Sequence, residues 1–306
     1  MILVTGASGY LGQCLLPLLK LMPSGVPVIT AGRHAQSNDR LLDLQAVGSY
    51  RDVTEGVDTL VHCAGLAHNK GHNDDYERIN VCASLALADA ALASGVKRFI
   101  FISSMNVVDP HCPDPHQSVV HMPYPQSPYA ASKWRAEQGL EALFLGSSCE
   151  LHIVRPALIY DHELTANLAS LAAMARFIPF RFPQCGDRSL ICREDVVHAI
   201  LSLIDAPMTG AVVKRYAVWD GHSYSARRLT EAIIGPRLLS VPMWFWRVLA
   251  DLRDIGTRAR VGSTWSAIGG KHWVANDGVE PLFPVRWNLE TRLAKLGVVT
   301  KWDTHV

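Results

Sequence analysis

The sequence predicts an α/β fold, a doubly wound parallel sheet with a smaller, irregular C-terminal portion, and three observations carry that expectation. Short runs of β-forming apolar residues alternate with helical patterns through most of the first 205 residues. The runs carry little charge on either face, as strands do when helices cover both sides of their sheet. The first run leads directly into a glycine-spaced turn that opens a helix.

Met1 to Thr5 is that first run, and Cys14, Leu15, Leu18, Leu19 and Met22 recur at helical spacing beyond the turn. Val26 to Ala31, Arg40 to Leu44, Thr59 to Cys63 and Arg98 to Ser103 read as further strands. A long helical pattern covers Asp75 to Ser94, followed by a helix from Pro128 to Leu145, a strand from Leu151 to Arg155 and a helix around Leu164 to Arg176. Arg193 to Asp205 and Ala226 to Ile234 are amphipathic helices with a strand, Lys214 to Trp219, between them. Residues 256 to 290 mix Gly, Trp and Pro without a clear period. The expected division is a sheet domain over 1–160, with contributions up to about 205, and a smaller portion over 161–306 that covers the substrate.

A chain of 306 residues with 49% hydrophobic and 19% charged side chains can bury a large core. Its formal net charge of +1 supplies no broad basic field, so nucleic acid is not an expected partner and a small molecule is. The seven cysteines (Cys14, Cys63, Cys82, Cys112, Cys149, Cys185, Cys192) form no C-x-x-C pair, which suits a reducing, cytoplasmic setting. Met1 enters an apolar strand within one residue, leaving no room for a signal peptide. The longest apolar stretch, roughly Leu164 to Phe180, is interrupted by Asn167 and Arg176, so no membrane span is expected.

Gly6, Gly9 and Gly12 stand at the spacing that lets a backbone approach a pyrophosphate closely, with Ser8, Tyr10 and Leu11 between them and the N–H groups of a helix N-terminus facing the anion. This is the turn of a Rossmann-type dinucleotide-binding sheet, and no Gly-Lys-Ser/Thr follows to make it a Walker loop. Where an NAD-binding chain usually carries an acid for the ribose 2′-hydroxyl, this one has Gly32-Arg33-His34. A guanidinium there can pair with a 2′-phosphate, which favours NADP(H) over NAD(H) and leaves both open; the plain alternative is a solvated loop charge.

Tyr129 and Lys133 are four residues apart behind Ser127-Pro128, so both fall on one face of a helix that proline can open. Ser103 and Ser104 end the strand Phe99 to Ile102, at the carboxyl edge where open parallel sheets bind ligands. In this catalytic set Tyr129 exchanges a proton with a substrate oxygen, Ser104 hydrogen-bonds that oxygen, and Lys133 holds the phenol acidic. A depression of about three units from the ordinary phenol value would represent roughly 4 kcal/mol. The plain alternative gives each residue a structural duty: a helix cap, a solvated charge and a strand end.

These residues resemble the extended short-chain dehydrogenase/reductases, and within them the NAD-dependent epimerase/dehydratase group that acts on nucleotide sugars. The resemblance covers residues 1 to 205 well and the remainder loosely. It implies that Asp43 and Leu44 contact adenine, that Cys63, Ala64, Gly65 and Asn80 line the cofactor, and that Pro156 and Leu158 lie beside the nicotinamide. It implies a substrate held by Ser104, Met105, Asn106, Asn167 and Arg188, the last in Asp187-Arg188-Ser189-Leu190. A nucleotide-diphosphate sugar is the implied substrate, with reduction of a 4-keto group as the leading activity and 4-epimerisation with tightly bound NAD as the alternative. A non-catalytic dinucleotide sensor is the alternative of another class, and it would need neither Tyr129 nor Lys133. Met105-Asn106 stands where a 4,6-dehydratase has an acidic pair, which disfavours dehydration. The family's second phosphate-binding arginine has no assignable match, with Arg258 and Arg260 as candidates. The helix Asp75 to Ser94, apolar around much of its circumference, implies a homodimer built with the Tyr129 helix.

Two further features have structural readings. His111, Cys112, His116 and His121 share a proline-rich loop, but their spacing matches no regular zinc site, so no metal is expected. Trp244, Phe245, Trp246 and Leu249 read as the core face of an amphipathic helix rather than as a membrane or partner contact.

Overall fold

A computed structural model of the protein describes residues 1–23, 25–34, 39–46, 48, 50–67, 73–108, 127–161, 164, 166–210, 212–257, 263–270 and 281–296. In chain order its elements are β1 (Ile2–Thr5), α1 (Gly12–Lys20), β2 (Val28–Gly32), β3 (Arg40–Leu41), α2 (Arg51–Thr54), β4 (Thr59–His62) and α3 (Asn73–Tyr76). A π-helical segment, Glu77–Cys82, runs on into α4 (Ala83–Ala93), and β5 (Arg98–Ile102) ends in a 3₁₀ turn at Met105–Val107. Then come α5 (Pro128–Phe144), β6 (Glu150–Pro156), β7 (Leu158–Tyr160), α6 (Ala166–Phe177), β8 (Arg188–Cys192), α7 (Arg193–Asp205) and β9 (Val213–Val218). The described elements close with β10 (Ser223–Tyr224), α8 (Ala226–Ile234), α9 (Met243–Gly256), α10 (Ser263–Gly269) and α11 (Leu289–Lys295).

The chain divides into two compact units, Met1–Pro156 with Val196–Val218, and Ala157–Asp195 with Trp219–Val306. The first holds a seven-stranded sheet in the order β3-β2-β1-β4-β5-β6-β9. Every neighbouring pair in it is parallel, and Ile2 lies between Val28 and Thr59 in register. The strand order reverses between β1 and β4, which is where an open sheet of this kind leaves a crevice at its carboxyl edge.

The core explains why these runs become strands. Leu3, Leu60, Phe99 and Leu151 come from four adjacent strands, are fully buried, and meet Leu87, Ala91, Leu140 and Phe144 from α4 and α5. Truncating any of these leucines to alanine would cost ~2–5 kcal/mol. At the opposite edge from the crevice, buried Arg98 donates to Glu150 at 2.8 and 2.6 Å and to the carbonyls of Leu203 and Ile204 at 2.5 and 2.9 Å. That arginine satisfies carbonyls at the end of α7, which a helix otherwise leaves bare.

The second unit has a three-stranded sheet in the order β10-β8-β7, with β7 and β8 parallel and β8 and β10 antiparallel. Its core gathers Tyr160, Phe182, Leu190, Tyr224, Leu229, Trp246 and Leu289.

Several details differ from the sequence reading. The third strand ends at Leu41, although Leu42 and Leu44 stay buried beyond it. The long helix beginning near Asp75 contains the π-helical turn, a local geometry with no apolar signature of its own. Strands β8 and β10 were not anticipated. All five residues of β8 are buried although it begins with Arg188 and Ser189, so it shows neither alternation nor a continuous apolar run. In α9, Trp246 is buried, Phe245 and Leu249 are half-buried, and Trp244 is exposed, so only part of the expected core face packs inward. The loop holding His111, Cys112, His116 and His121, together with Arg258 and Arg260, lies outside the described residues.

Candidate active site

The turn after β1 is built around what a side chain would collide with. Gly6 has φ +73°, and a Cβ there would stand 2.6 Å from the Ala64 backbone nitrogen, so the turn presses directly on the segment after β4. A Cβ on Gly12 would stand 2.2 Å from the Gly6 carbonyl oxygen, which fixes the close approach of α1 to the turn. At Gly9 the only neighbour within 4 Å among the described residues is that same oxygen at 3.1 Å, so these residues leave the outer face of the turn open. Leu11 opens α1 without a side-chain cap, while its own side chain is buried. A bare helix N-terminus behind an open glycine face, at the strand-order reversal, fits a dinucleotide pyrophosphate. Ser8 is exposed and its carbonyl accepts from Gln13 at 3.0 Å, and Tyr10 is half-buried.

The catalytic candidates come together on β5 and α5. Ser127 caps α5 by accepting from Ala130 N at 3.2 Å, with Pro128 in the first turn, which places Tyr129 and Lys133 on one face. The Tyr129 phenol is hydrogen-bonded to Ser104, and its ring meets Tyr76 edge-on at 6.2 Å. Ser104 also accepts from Asn106 N at 3.2 Å, capping the 3₁₀ turn. Lys133 is 6% exposed. Its Nζ donates to the Ile102 carbonyl at 2.8 Å and lies 4.7 Å from the centre of the Phe101 ring. A Cβ on Gly65 would stand 3.0 Å from Asn80 Oδ1, so glycine lets this segment pass close to that amide.

The electrostatics correct one expectation. Burial pushes the Tyr129 phenol up to about 12; the Ser104 hydrogen bond opposes this, and Tyr76 adds to it. Burial also brings Lys133 down to about 8, against the pull of Cys63 and Glu137. The sequence reading counted the charges of the lysine and of a bound nicotinamide and omitted the desolvation of both side chains, which prevails among the described residues. The described residues by themselves thus hold the Tyr129 phenol above its ordinary value.

Behind the pair lies a network the sequence did not reveal. Asn80, in the π-helical segment and 1% exposed, accepts from Leu66 N at 2.7 Å and donates to Leu66 O at 3.1 Å and Ser132 Oγ at 3.0 Å. Ser132 in turn donates to the Tyr129 carbonyl at 2.8 Å. Asn80 was expected to line the cofactor; its amide is committed to fixing the segment after β4 against the first turn of α5. Buried His62 bridges Thr5 Oγ1 at 2.7 Å and Ser84 Oγ at 2.9 Å, and burial lowers it to about 3, so it stays neutral. A Thr, a His and a Ser on separate elements give no local sequence signal for this bridge. Buried Arg155 pairs with Glu137 at 2.6 Å, one turn beyond Lys133.

The other expected residues fall in varied places. Arg33 is exposed just past β2. Asp43 is half-buried and accepts from Gln45 N at 3.0 Å, whereas the Leu44 side chain packs into the core. Cys63 and Ala64 are half-buried, and burial raises the Cys63 thiol to about 12. Ser103 is buried, its hydroxyl without a partner among the described residues. Met105 turns its side chain into the core and Asn106 is exposed. Pro156 ends β6 beside Val218, in the first unit. Leu158 belongs to the second unit and pairs with Leu190. Asn167 is in the first turn of α6, and its side chain lies outside what the structure describes.

Arg188, in the second unit, is 7% exposed and donates to the carbonyls of Gly186 and Ile268, each at 2.9 Å. Burial lowers its pKa to about 10, against the pull of Cys185 and Asp187. A guanidinium this desolvated favours an anion beside it.

Comparisons with known proteins agree with this chemistry. Residues 2–218 match the NAD dependent epimerase/dehydratase family. The chain is 33% identical over 282 residues to a UDP-glucose 4-epimerase of Vibrio cholerae, covering 82% of this chain and 81% of that protein. It is 28% identical over 253 residues to a 2-alkyl-3-oxoalkanoate reductase of Stenotrophomonas maltophilia, covering 76% and 74%. Among solved structures it resembles MoeE5 in complex with UDP-glucuronic acid and NAD, with TM-score 0.70, 21% identity and 96% of each chain covered. The glycine turn, the Tyr129-Lys133-Ser104 set and these matches together show that the chain is an NAD(P)-dependent enzyme of the extended short-chain dehydrogenase/reductase type, belonging to the NAD-dependent epimerase/dehydratase family.

Proposed function

We propose that the protein uses NADPH to reduce the 4-keto group of a UDP-linked sugar. The hydrogen bond between Tyr129 and Ser104 is the observation that carries this reading. Reduction requires a proton at the oxygen as the carbon gains its hydride, and a protonated phenol pinned at the carboxyl edge of β5 is suited to give it. Ser104 shares that oxygen and orients it. Lys133, anchored at Ile102, keeps a positive charge beneath the phenol and offsets the negative charge that Tyr129 acquires. The dinucleotide supplies the hydride when bound.

The diphosphate in the substrate is supported by Arg188, a buried cation held by two carbonyls, and by the UDP-glucose in the name of the Vibrio relative. Preference for NADPH is supported by exposed Arg33 at the end of β2. An Arg33→Asp variant should lose affinity for NADPH while keeping it for NADH. The same reading assigns the enzyme to the cytoplasm and to a homodimer; half-exposed Leu85, Ala86 and Leu92 on α4 support the second point.

A second reading, 4-epimerisation with NAD retained through turnover, is favoured by the name of the Vibrio relative. Product analysis separates the two. Loss of dihydronicotinamide absorbance in step with a UDP-4-keto sugar supports the reductase, whereas interconversion of two UDP-sugars with no net cofactor consumption overturns it.

A further inference from the structure

The second unit buries an acid that the proposed reaction does not use. Asp220 is 4% exposed, and its backbone N–H donates to the Leu190 carbonyl on β8 at 2.8 Å. Two fully buried phenols converge on its Oδ2, Tyr224 of β10 at 2.8 Å and Tyr160 of β7 at 3.3 Å. Its Oδ1 accepts from His222 N at 3.1 Å.

The two phenols differ in freedom. Tyr224 Oη accepts the Leu289 N–H at 3.1 Å, which leaves its own hydrogen to point at Asp220. Tyr160 Oη stands 3.3 Å from Asp220 Oδ2 and 3.3 Å from the Trp287 carbonyl, and a phenol has one hydrogen to give. With Asp220 ionised, that hydrogen is drawn to the carboxylate and Trp287 loses it. With Asp220 neutral, the acid proton on Oδ2 goes to Tyr160 Oη, whose own hydrogen then reaches the Trp287 carbonyl. The chain from β10 through Asp220 and Tyr160 to Trp287 is complete only in the neutral form.

Burial raises Asp220 to about 7, against the hydrogen bonds from Tyr224, His222 and Tyr160 and with the help of Glu290 on α11. Burial also pushes both phenols up, so neither gives up its proton in place of Asp220. Cys192 of β8 faces Tyr160. Arg228 of α8 stands 4.4 Å over the Tyr224 ring and pairs with Glu290 at 2.6 Å, and the exposed His222 ring meets Tyr224 edge-on at 6.3 Å. From α7, Asp195 accepts from Arg286 N and Trp287 N, and Glu194 from Trp287 Nε1, each at 3.2 Å. Arg292 and Lys295 of α11 lie over the indole at 5.1 and 4.4 Å.

We propose that Asp220 is a proton-controlled latch: its neutral form fastens residues 287–289, the entry to α11, onto β7 and β10, and its ionised form loosens them. The raised acid contributes stability that is whole below its ordinary value of 3.8 and is lost as pH rises through about 7. The latch therefore opens on the alkaline side of neutrality. Because β10 pairs with β8 so that Tyr224 lies opposite Arg188, it acts on the strand next to that arginine.

Hydrogen exchange of the full-length protein, read by mass spectrometry and referred to the intrinsic rate at each pH, tests this. Protection of peptides spanning 287–295 should fall about tenfold from about pH 6 to about pH 8, while peptides of β5 keep theirs. Asp220→Asn retains an N–H for Tyr160 and cannot ionise, so its protection should stay high at both values. Tyr160→Phe removes the shared hydrogen and should be low at both. His222→Gln should behave as the parent, which separates Asp220 from the neighbouring imidazole. The latch is overturned if parent protection is the same at both values, if β5 loses as much, or if Asp220→Asn keeps the parent's fall. It is equally overturned if Tyr160→Phe matches the parent at the lower pH or if His222→Gln abolishes the fall. Where Asp220→Asn does not fold, Tyr160→Phe decides the question alone.

Discussion

The Tyr129 phenol is hydrogen-bonded to Ser104, while Lys133, one helical turn away, gives its ammonium to the Ile102 carbonyl. The proton-carrying group is thereby held by a serine at a strand end and supported by a cation fixed to that same strand. Tyr129→Phe removes the donor and keeps the ring that meets Tyr76. Turnover should fall ~10²–10⁴-fold, with dinucleotide affinity and melting temperature unchanged, as read by steady-state rates, cofactor fluorescence titration and thermal melting.

Lys133 is a buried cation whose folded pKa, about 8, lies below its ordinary value of 10.5. Between those two values the unfolded chain binds more protons than the folded one, so this group opposes folding fully below pH 8 and ceases to do so as pH rises toward 10.5. Lys133→Met should therefore abolish turnover yet stabilise the fold at neutral pH, by up to about 3 kcal/mol. Urea denaturation should show that advantage shrinking as pH rises through the same window.

The glycine turn separates folding from binding. Gly12→Ala would drive a Cβ to 2.2 Å from the Gly6 carbonyl, so it should lower both melting temperature and cofactor affinity. Gly9→Ala meets only one atom, at 3.1 Å, and projects from the open face. It should melt within a few degrees of the parent while losing dinucleotide binding, measured by calorimetric titration.

What was legible in the sequence is what local spacing encodes. Gly6, Gly9 and Gly12 lie in one turn, and Tyr129 and Lys133 on one helix that Ser127-Pro128 announces, so their arrangement could be read without the rest of the chain. Asn80 and Ser132 meet across 52 positions and Arg98 and Leu203 across 105. Such pairs depend on which strands become neighbours, and no local pattern records that. The phenol's proton affinity was misjudged for a related reason: a neighbouring lysine is visible in a sequence, and the water excluded from both groups is not. Arg188 was legible as a motif, but its burial among carbonyls followed only from β8, which carried no periodic signal.

Glu150 anchors the edge of the sheet remote from the site. Burial alone would raise its carboxyl, but the Thr209 amide and the Arg98 guanidinium bring it down to about 2. A depressed acid contributes stability above its ordinary value of 4.5 and loses it as pH falls toward 2. Glu150→Ala would strand the Arg98 charge and should cost ~3–5 kcal/mol, visible in urea denaturation near neutral pH. The acid limb of the parent's stability curve should flatten in this variant.

The most direct test of the central claim follows the label from NADPH deuterated at the transferring position of its nicotinamide ring into a UDP-4-keto sugar. With the parent enzyme, nuclear magnetic resonance should find one deuterium at C4 of the sugar for each cofactor oxidised, and Tyr129→Phe should transfer almost none. Equal transfer by both proteins, or none by the parent with any UDP-4-keto sugar, would contradict the account.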